Sequence, residues 1–552
     1  MRWLLRAEPG AGRPPAAGSL AARILGRRGC DADTAEAFLA PRLANLGDPF
    51  AIPGMAAAVA RLLQAADNRE RVVTYGDYDV DGVTSVALLS EILGHFGIEA
   101  AGFLPHRIDE GYGLTDEGVE RCLLEHRPQL LIAVDCGTTS VARVARLRAA
   151  GVDVVVVDHH ECKRELPDCA ALVNPQRGGD YRYLCTAGLV FKLGHALLKQ
   201  RRIEGVDLRR TLDLVATGTV ADLVPLVGDN RILVAAGLRR LATTSRPGLR
   251  ALLDVSGVDC AVNARDIGFR LGPRLNAAGR LATASEALEL LRCDDLGAAR
   301  RLAASLDRRN GERQALERRL LAEAERCLHE RHNGGIPEAI VVGGEGWHHG
   351  VLGIVASRLM RRHHRPAIVA GFDSAGAGKA SGRSIPGLSL VAALTACEHT
   401  LAHFGGHEMA AGMVLARSQF DAFSEAFTSH CRSTLAAAQL VPELVVDDIL
   451  QPHQFTLESL DDLERLEPCG MGNPQPVLAA RAVSPLAAPR VLKDKHLRIE
   501  FPAARGRLAA IYFHGAERDL PRPPWDVAFH AERNSFRGQS SPQMNVIAIR
   551  AA

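Results

Sequence analysis

The first third of the chain alternates short apolar runs with longer segments of helical periodicity. Residues 72–75 form a β-branched run, 83–93 repeat apolar positions at three- and four-residue intervals, and 130–134 form a second run. A second helical segment covers 141–150, a third run 154–157, and a fourth 170–173, closed by Asn174-Pro175. Unalternating apolar runs separated by helices predict strands buried on both faces of a parallel sheet. Residues 441–552 read differently: short alternating runs such as HLRIEF and AAIYFHG, punctuated by Pro and Gly, predict an all-β region. Before them, RRLAASLDRRNGERQALERRLLAEAERCLHERH spaces Leu and Ala at helical intervals between charges, which predicts a long exposed helix between two domains.

Composition narrows the class. An apolar content of 47% with 24% charged residues is that of a globular protein and argues against a disordered or membrane-embedded chain. A length of 552 residues leaves room for about three to five domains. The 12 cysteines include no CxxC pair, so neither a zinc ribbon nor a thioredoxin-like site is expected. The apolar run before Arg6 is too short for a signal peptide, and no window of about 18 uncharged apolar residues exists, so a cytoplasmic protein with no membrane partner is expected.

The net charge of +2 conceals a strong asymmetry. Residues 71–160 carry 7 basic against 14 acidic side chains, whereas 231–331 carry 19 arginines, no lysine and 13 acids. The basic block is a candidate phosphate track, although i,i+4 Glu and Arg pairs on a solvated helix would account for most of its arginines equally well.

The acidic block is concentrated where the predicted strands end. GDYDVDG places Asp77, Asp79 and Asp81 after the first run, AVDCG places Asp135 after the second, and VVVVDHH places Asp158, His159 and His160 after the third. In a parallel sheet these positions share the carboxyl edge, where open α/β sheets bind ligands. Carboxylates pressed together cannot all stay ionised without cations, so metal is expected. Mixed carboxylate and imidazole donors suit Mn2+ better than Mg2+. Two ions sharing a carboxylate would suit a phosphoryl displacement, which makes phosphoester hydrolysis the favoured reaction class. Each piece alone is weak. DxDxDG also occurs in helix caps and calcium loops, although VTSVALLSEIL after Asp81 lacks the acid a calcium loop needs at its twelfth position, and a His-His pair is commonly surface or core.

GDYDVDGVTS, VDCGTTS, VVDHH and ATGTVADLVPL resemble the four successive motifs of the DHH phosphoesterase superfamily. GPRLNAAGRL, EGWHHGVLGIVASRL, SGRSIPGLSL, FGGHEMAAGM and LEPCGMGNPQPVL resemble its bacterial RecJ branch, from about residue 75 to about 550. The resemblance implies an α/β fold: a parallel-sheet DHH domain and a smaller α/β (DHHA1) domain joined by a long helix, with a C-terminal β-barrel OB-fold. The implied divisions are an N-terminal segment 1–45, a DHH domain 46–230, a helical connector 231–331, a DHHA1 domain 332–440 and an OB-fold 441–552.

The resemblance also implies a two-metal site with Asp79, Asp81, Asp135, His159 and Asp222 as ligands and Asp135 as the bridge. Asp77 lies beside them with its ligation open, His160 faces the scissile phosphate, and Asp158 orients a histidine. Asp222 rests on the resemblance alone, since ADLVPL reads equally as a helix cap. Ser381, Arg383 and Ser384 of SGRS, and Gly405, Gly406 and His407 of FGGH, match phosphate-binding positions, where backbone N-H groups and a guanidinium can approach closely; an ordinary turn is the alternative for SGRS. Arg107 and Arg280 match arginines that contact nucleic-acid phosphates or the terminal 5′ phosphate, a structural ion pair being the alternative for either. In the last domain 481–512 carry 7 basic against 2 acidic residues, and Phe501, Tyr512 and Phe513 are candidate stacking faces or core.

The implied activity is a single-stranded-DNA-specific 5′ to 3′ exonuclease, using two divalent ions, Mn2+ or alternatively Mg2+, and releasing mononucleotides in DNA repair and recombination. Single-stranded DNA is the implied partner, with a single-strand-binding protein and a RecQ-type helicase as further ones. The competing readings are another DHH phosphoesterase, acting on short oligonucleotides or cyclic dinucleotides, and a non-catalytic DNA-binding scaffold.

Overall fold

The computed structural model describes every residue except 7–17, 107–109, 112, 260, 282 and 537, and the side chains of 281 and 536. It divides into two compact units. The larger contains Trp3–Gly279, Thr283–Ala304 and Val445–Ala552, and the smaller Met1–Arg2, Arg280–Ala282 and Ser305–Leu444.

The larger unit is built on a five-stranded parallel sheet, in spatial order Ala101–Phe103, Val72–Gly76, Leu130–Val134, Asp153–Val157 and Ala171–Val173. The four expected runs are present; Ala101–Phe103, only three residues long, is an additional edge strand. The helix Val80–His95 follows the second of these strands and is buried along most of its length because the helices Thr186–Gln200 and Leu212–Ala221 pack around it. That packing needs small residues. A Cβ at Gly218 would lie 2.4 Å from Thr84 Oγ1 and 2.8 Å from the Ala187 Cβ. The sheet therefore presents Asp77, Asp135, Asp158 and Asn174, one after each of four neighbouring strands, on a single edge.

The C-terminal part of this unit is a seven-stranded sheet ordered Asp448–Ile449, Leu478–Val483, Trp525–Phe536, Gln539–Ala551, Arg507–Tyr512, His496–Pro502 and Arg490–Leu492. Alternation along His496–Pro502 and Arg507–Tyr512 sends Leu497, Ile499, Phe501, Leu508, Ala510 and Tyr512 inward. Phe501 and Tyr512 are thus core. Phe513 stays 52% exposed, its ring centroid 5.2 Å from that of His496.

Residues 1–45 offered no anchor in sequence, and their place is a finding. The helices Leu20–Arg27 and Ala32–Leu39 insert Leu20, Ala21, Ile24, Leu25 and Ala35 into the same core as Leu466, Leu478, Phe501 and Phe529. Polar contacts fix the docking. Arg28 donates to both Asp447 oxygens at 3.0 and 3.1 Å and to Asn473 Oδ1 at 2.9 Å, and Arg23 pairs with Asp448 at 3.1 Å.

In the smaller unit a five-stranded sheet runs His403–Gly406, Ala410–Ala416, Ala377–Arg383, Ala367–Phe372, Ile340–Glu345, antiparallel except for the last pair. The helix Leu296–Arg331 begins in the larger unit and ends here; its 36 residues span about 54 Å. It is amphipathic rather than exposed. Leu320, Ala324 and Leu328 pack against Val351, Val355 and Leu359. Arg313 forms the expected i,i+4 pair with Glu317 at 2.8 Å, and Glu317, itself buried, also meets Arg358. Among the described residues no single helix is long and apolar enough to cross a membrane.

Arg231 joins three parts of the larger unit. It is 2% exposed, lies 3.7 Å from the Phe38 ring centroid, and donates to the carbonyls of Phe38, Arg465, Leu466, Glu467 and Pro468 at 2.8–3.3 Å. Carbonyl dipoles offset its charge directly, and among the described residues no carboxylate forms an ion pair with it. Arg231→Met would strand these acceptors in a dry interior and is expected to cost about 3–5 kcal/mol. Denaturant unfolding of the full chain checks this; a loss under about 1 kcal/mol would mean that the carbonyls find water instead.

Candidate metal centre and phosphate-facing residues

The strand Val72–Gly76 delivers the chain into Asp77, and Asp79 then N-caps the Val80–His95 helix, its Oδ1 accepting from Gly82 N at 3.0 Å. A Cβ at Gly82 would sit 2.4 Å from Asp77 O, so only glycine lets the loop fold back this tightly. Asp81 points from the first turn into the interior. Its two oxygens accept from Thr186 N and Ala187 N, at 2.7 and 2.8 Å, at the N-terminus of Thr186–Gln200. Thr186 also donates its hydroxyl to Asp135 Oδ1 at 3.0 Å. Asp135 is held at φ 61°, a left-handed conformation that costs a non-glycine residue about 1 kcal/mol or more.

Donor atoms of Asp77, Asp79 and Asp135 lie within 4.8 Å of one another, and so do those of Asp135, His159 and His160. Asp135 belongs to both groups. His159 Nε2 lies 3.3 Å from Asp135 Oδ1 and 3.6 Å from Asp222 Oδ2. Asp222, at the C-terminus of the Leu212–Ala221 helix, forms a third group with Asp81 and Cys185. The structure thus gathers Asp77, Asp79, Asp81, Asp135, His159 and Asp222 at one site. Asp77, whose ligation spacing left open, stands as close as the others.

Electrostatics separates these groups into two kinds. Burial, reinforced by the neighbouring carboxylates, pushes Asp81 up to about 7 and Asp222 up to about 8, and raises Asp135 well above its ordinary range. Burial and the adjacent His160 bring His159 down to about 4, leaving a neutral ring with a lone pair to give. Asp158 and His160 instead satisfy each other. Burial works to lower His160, but Asp158 Oδ1, 2.7 Å from its Nδ1, outweighs burial and raises it to about 9. Asp158, although burial works against it, is held well below the usual carboxylate range by His160 and by Thr138 N at 3.0 Å. Its Oδ1 also accepts from the backbone N-H groups of His159 and His160, which fixes the main chain that carries both rings.

This donor set fits divalent cations: crowded carboxylates, a neutral imidazole, and Asp222 Oδ2 buried without a hydrogen-bond partner. Cys185 does not extend it, because burial raises its thiol and the sulfur donates to Thr219 Oγ1 at 3.3 Å. Two supporting residues lie outside the motifs that carry the resemblance. Thr186 holds Asp81 and Asp135 together, and Asn174 ties Thr138 Oγ1 (2.8 Å) to the His160 carbonyl (2.9 Å). The Asn-Pro step that closes the fourth run was a visible signal for the second.

In the smaller unit the strand Ala377–Arg383 carries Ser381 and Arg383. Arg383 Nη1 donates to Ser381 Oγ at 3.1 Å and Gly382 O at 2.7 Å, and no carboxylate pairs with it among the described residues. A Cβ at Gly353, in the helix His349–His363, would come 2.9 Å from Arg383 Nη2 and 3.0 Å from Ser381 Oγ. Arg280 Nη1 donates to Gly350 O in that helix's first turn at 3.1 Å. Arg280, the helix start, Ser381 and Arg383 are therefore neighbours. Strand register places Gly405 and Gly412 in a row with Ser381. Gly406 needs its φ of 150°, since a Cβ there would meet Ala410 O at 2.5 Å, and His407 is exposed at the hairpin. Ser384 is not brought to this surface: it is buried and its hydroxyl donates to Leu388 O at 2.8 Å, closing its own turn. Arg107 lies outside the described residues.

Family profiles match this chain in three places: the DHH family N-terminal domain over 71–219, the DHHA1 domain over 337–433 and the RecJ OB domain over 446–548. The chain is similar to the single-stranded-DNA-specific exonuclease RecJ of Bacillus subtilis, 36% identical over 96% of this chain and 67% of that protein. The Escherichia coli protein of the same name is 36% identical over 89% of each chain. Among solved structures, RecJ of Thermus thermophilus in complex with Mn2+ superposes with a TM-score of 0.84 at 31% identity, covering 100% of this chain and 80% of that one. Its complex with Mg2+ gives 0.79 at 29%, covering 100% and 78%. With three domain matches in order, relatives alike over most of both chains and a shared fold, the chain belongs to the RecJ family of DHH phosphoesterases.

Proposed function

We propose that this chain is a metal-dependent, single-stranded-DNA-specific exonuclease that uses two divalent ions to hydrolyse phosphodiester bonds from a 5′ end and release mononucleotides. The observation that carries the reading is that Asp135 adjoins both the Asp77–Asp79 pair and His159, which itself lies 3.6 Å from Asp222, the arrangement expected of a carboxylate shared by two ions. Asp79, Asp81, Asp135, His159 and Asp222 would hold those ions, with Asp77 as a further ligand, and Mn2+ suits the imidazole better than Mg2+. The ions supply Lewis-acid polarisation of the phosphodiester and offset the charge that builds in its transition state.

The remaining work falls to the chain itself. His160, kept cationic by Asp158, presents a charged N-H donor to a phosphate oxygen. Asp158 fixes its direction. Arg383 and Ser381, with Arg280, Arg107, Gly405, Gly406 and His407, would hold substrate phosphates. Phe513 and the basic stretch 481–512 would grip bases and backbone without reading sequence. The divisions 46–230, 231–331, 332–440 and 441–552 describe these modules, with 1–45 grouped with the last. A cytoplasmic setting, a role in repair and recombination, and cooperation with a single-strand-binding protein and a RecQ-type helicase complete the proposal.

Asp135→Asn is expected to lower hydrolysis of end-labelled single strands in Mn2+ by about 10³-fold or more, equivalent to about 4 kcal/mol of barrier, while strand affinity stays within a few fold. Parallel 5′- and 3′-labelled substrates report polarity at early times, and residual activity near wild type would end the shared-carboxylate reading.

Arg383→Ala is expected to reduce the preference for 5′-phosphorylated over 5′-blocked strands. Equal discrimination in the variant would remove Arg383 from recognition of the strand end.

Metal removal makes stability depend on pH with a definite sign. Asp81, Asp222 and His160 are all raised above their unfolded values, so each stabilises the metal-free fold at low pH and loses that contribution as pH rises through about 7, 8 and 9. His159 acts oppositely only below its unfolded value of about 6.5. In chelator, Tm is expected to fall by about 5 °C or more between pH 6.5 and 9, and Mn2+ to restore it most at the alkaline end. A chelated protein with flat Tm over that range would show that the carboxylates are not crowded as described.

A further inference from the structure

The larger unit contains a cavity of about 500 Å3 set apart from the carboxylate edge. It is reached along the Val80–His95 helix: Asp81 lies in the first turn and Glu91, a lining residue, ten positions on, about 15 Å along the axis. Four arginines, Arg210, Arg240, Arg246 and Arg292, line it against two carboxylates, Glu91 and Asp294. Arg246 is already committed, to Glu91 at 2.7 Å and to buried Asp213 at 3.0 Å. The other three, carried by separate elements, form no ion pair among the described residues.

Two donors at this cavity lack acceptors. Arg240 Nε and Ser90 Oγ are both shielded from solvent and have no hydrogen-bond partner. A buried donor left in this state costs about 1–3 kcal/mol, which a rotation of either side chain toward an anion in the cavity would recover. The N-terminus of the Pro247–Ser256 helix opens at the same place, through Arg246 and Pro247, and adds a favourable dipole for an anion. Leu214 and Leu291 supply an apolar wall. Guanidinium forks, unsatisfied donors and a helix start select a compact oxyanion, and the volume lies within the range of small-molecule sites.

We propose that this cavity binds a terminal phosphate group, the dianion shared by nucleoside 5′-monophosphates and inorganic phosphate. The site is separate from the phosphate-facing residues around Arg383, and its occupancy does not depend on the exonuclease reading.

Calorimetric titration of the full chain in chelator, on an Arg383→Ala background that weakens the other phosphate-holding surface, tests it with dAMP, inorganic phosphate and deoxyadenosine. The expected result is binding of dAMP, no binding of deoxyadenosine, and a loss of at least tenfold in affinity, about 1.4 kcal/mol, on adding Arg210→Gln and Arg292→Gln. Both of those side chains are exposed, so the fold should survive, and an unchanged Tm verifies it. Arg240→Gln gives an independent second variant. Tighter binding of dAMP than of phosphate assigns the apolar wall to the base; equal binding assigns the site to phosphate alone. Absence of binding at millimolar concentration, or affinities that none of these substitutions alters, overturns the proposal. Hydrolysis of single strands by Arg292→Gln is expected to match wild type, so failure of the exonuclease reading and failure of this one remain distinguishable.

Discussion

Carboxylate crowding at one sheet edge is the constraint around which the larger unit is organised. Asp77, Asp81 and Asp135 are buried within a few ångströms of Asp79 and Asp222, and repulsion in a low-dielectric interior would expel them unless something holds them. Three devices do so. A helix N-terminus grips Asp81 through two backbone N-H groups, Thr186 bridges to Asp135, and Asp158 is neutralised by its own histidine. What these devices leave unbalanced is a set of donors for cations, so the repulsion that strains this edge is what would bind the metal.

The carboxylate edge was legible in sequence because each part follows a strand. In a parallel sheet the residue after each strand lands on the same edge, so Asp77, Asp135 and Asp158-His159-His160 converge as soon as the runs 72–75, 130–134 and 154–157 are accepted as strands. Asp222 was not legible that way. It ends a helix, and ADLVPL carries no periodic signal that separates a ligand from a cap, so only family resemblance reached it. Thr186 and Asn174 escaped because their work is done by a backbone N-H, a hydroxyl and an amide, groups for which composition has no marker. Ser384 shows the opposite error: its neighbours Ser381 and Arg383 adjoin the start of the helix His349–His363, but Ser384 turns into the core just past the strand end.

The basic block also changes meaning. Its 19 arginines do not form one surface. Arg231 is spent on buried carbonyls, Arg313 on buried Glu317, and Arg246 on Glu91 and Asp213, whereas Arg240 and Arg292 face a cavity and Arg280 a helix start. Arginine suits all of these uses because it stays charged when buried and offers five donors in a plane. Lysine would serve few of them, which is a physical reason for a segment with none.

The same accounting alters where a module begins. Composition places the β-rich region at 441–552, yet its core contains side chains from Leu20 to Ala35, its loop after Leu466 is held by Arg231, and Asp447 is bound by Arg28. Over 400 residues of chain separate these pieces, but the apolar surface they share is continuous. A fragment starting at 441 would expose the face that Ile24 and Leu25 cover and leave Asp447 without its guanidinium partner, so the barrel is a unit only when both ends of the chain are counted.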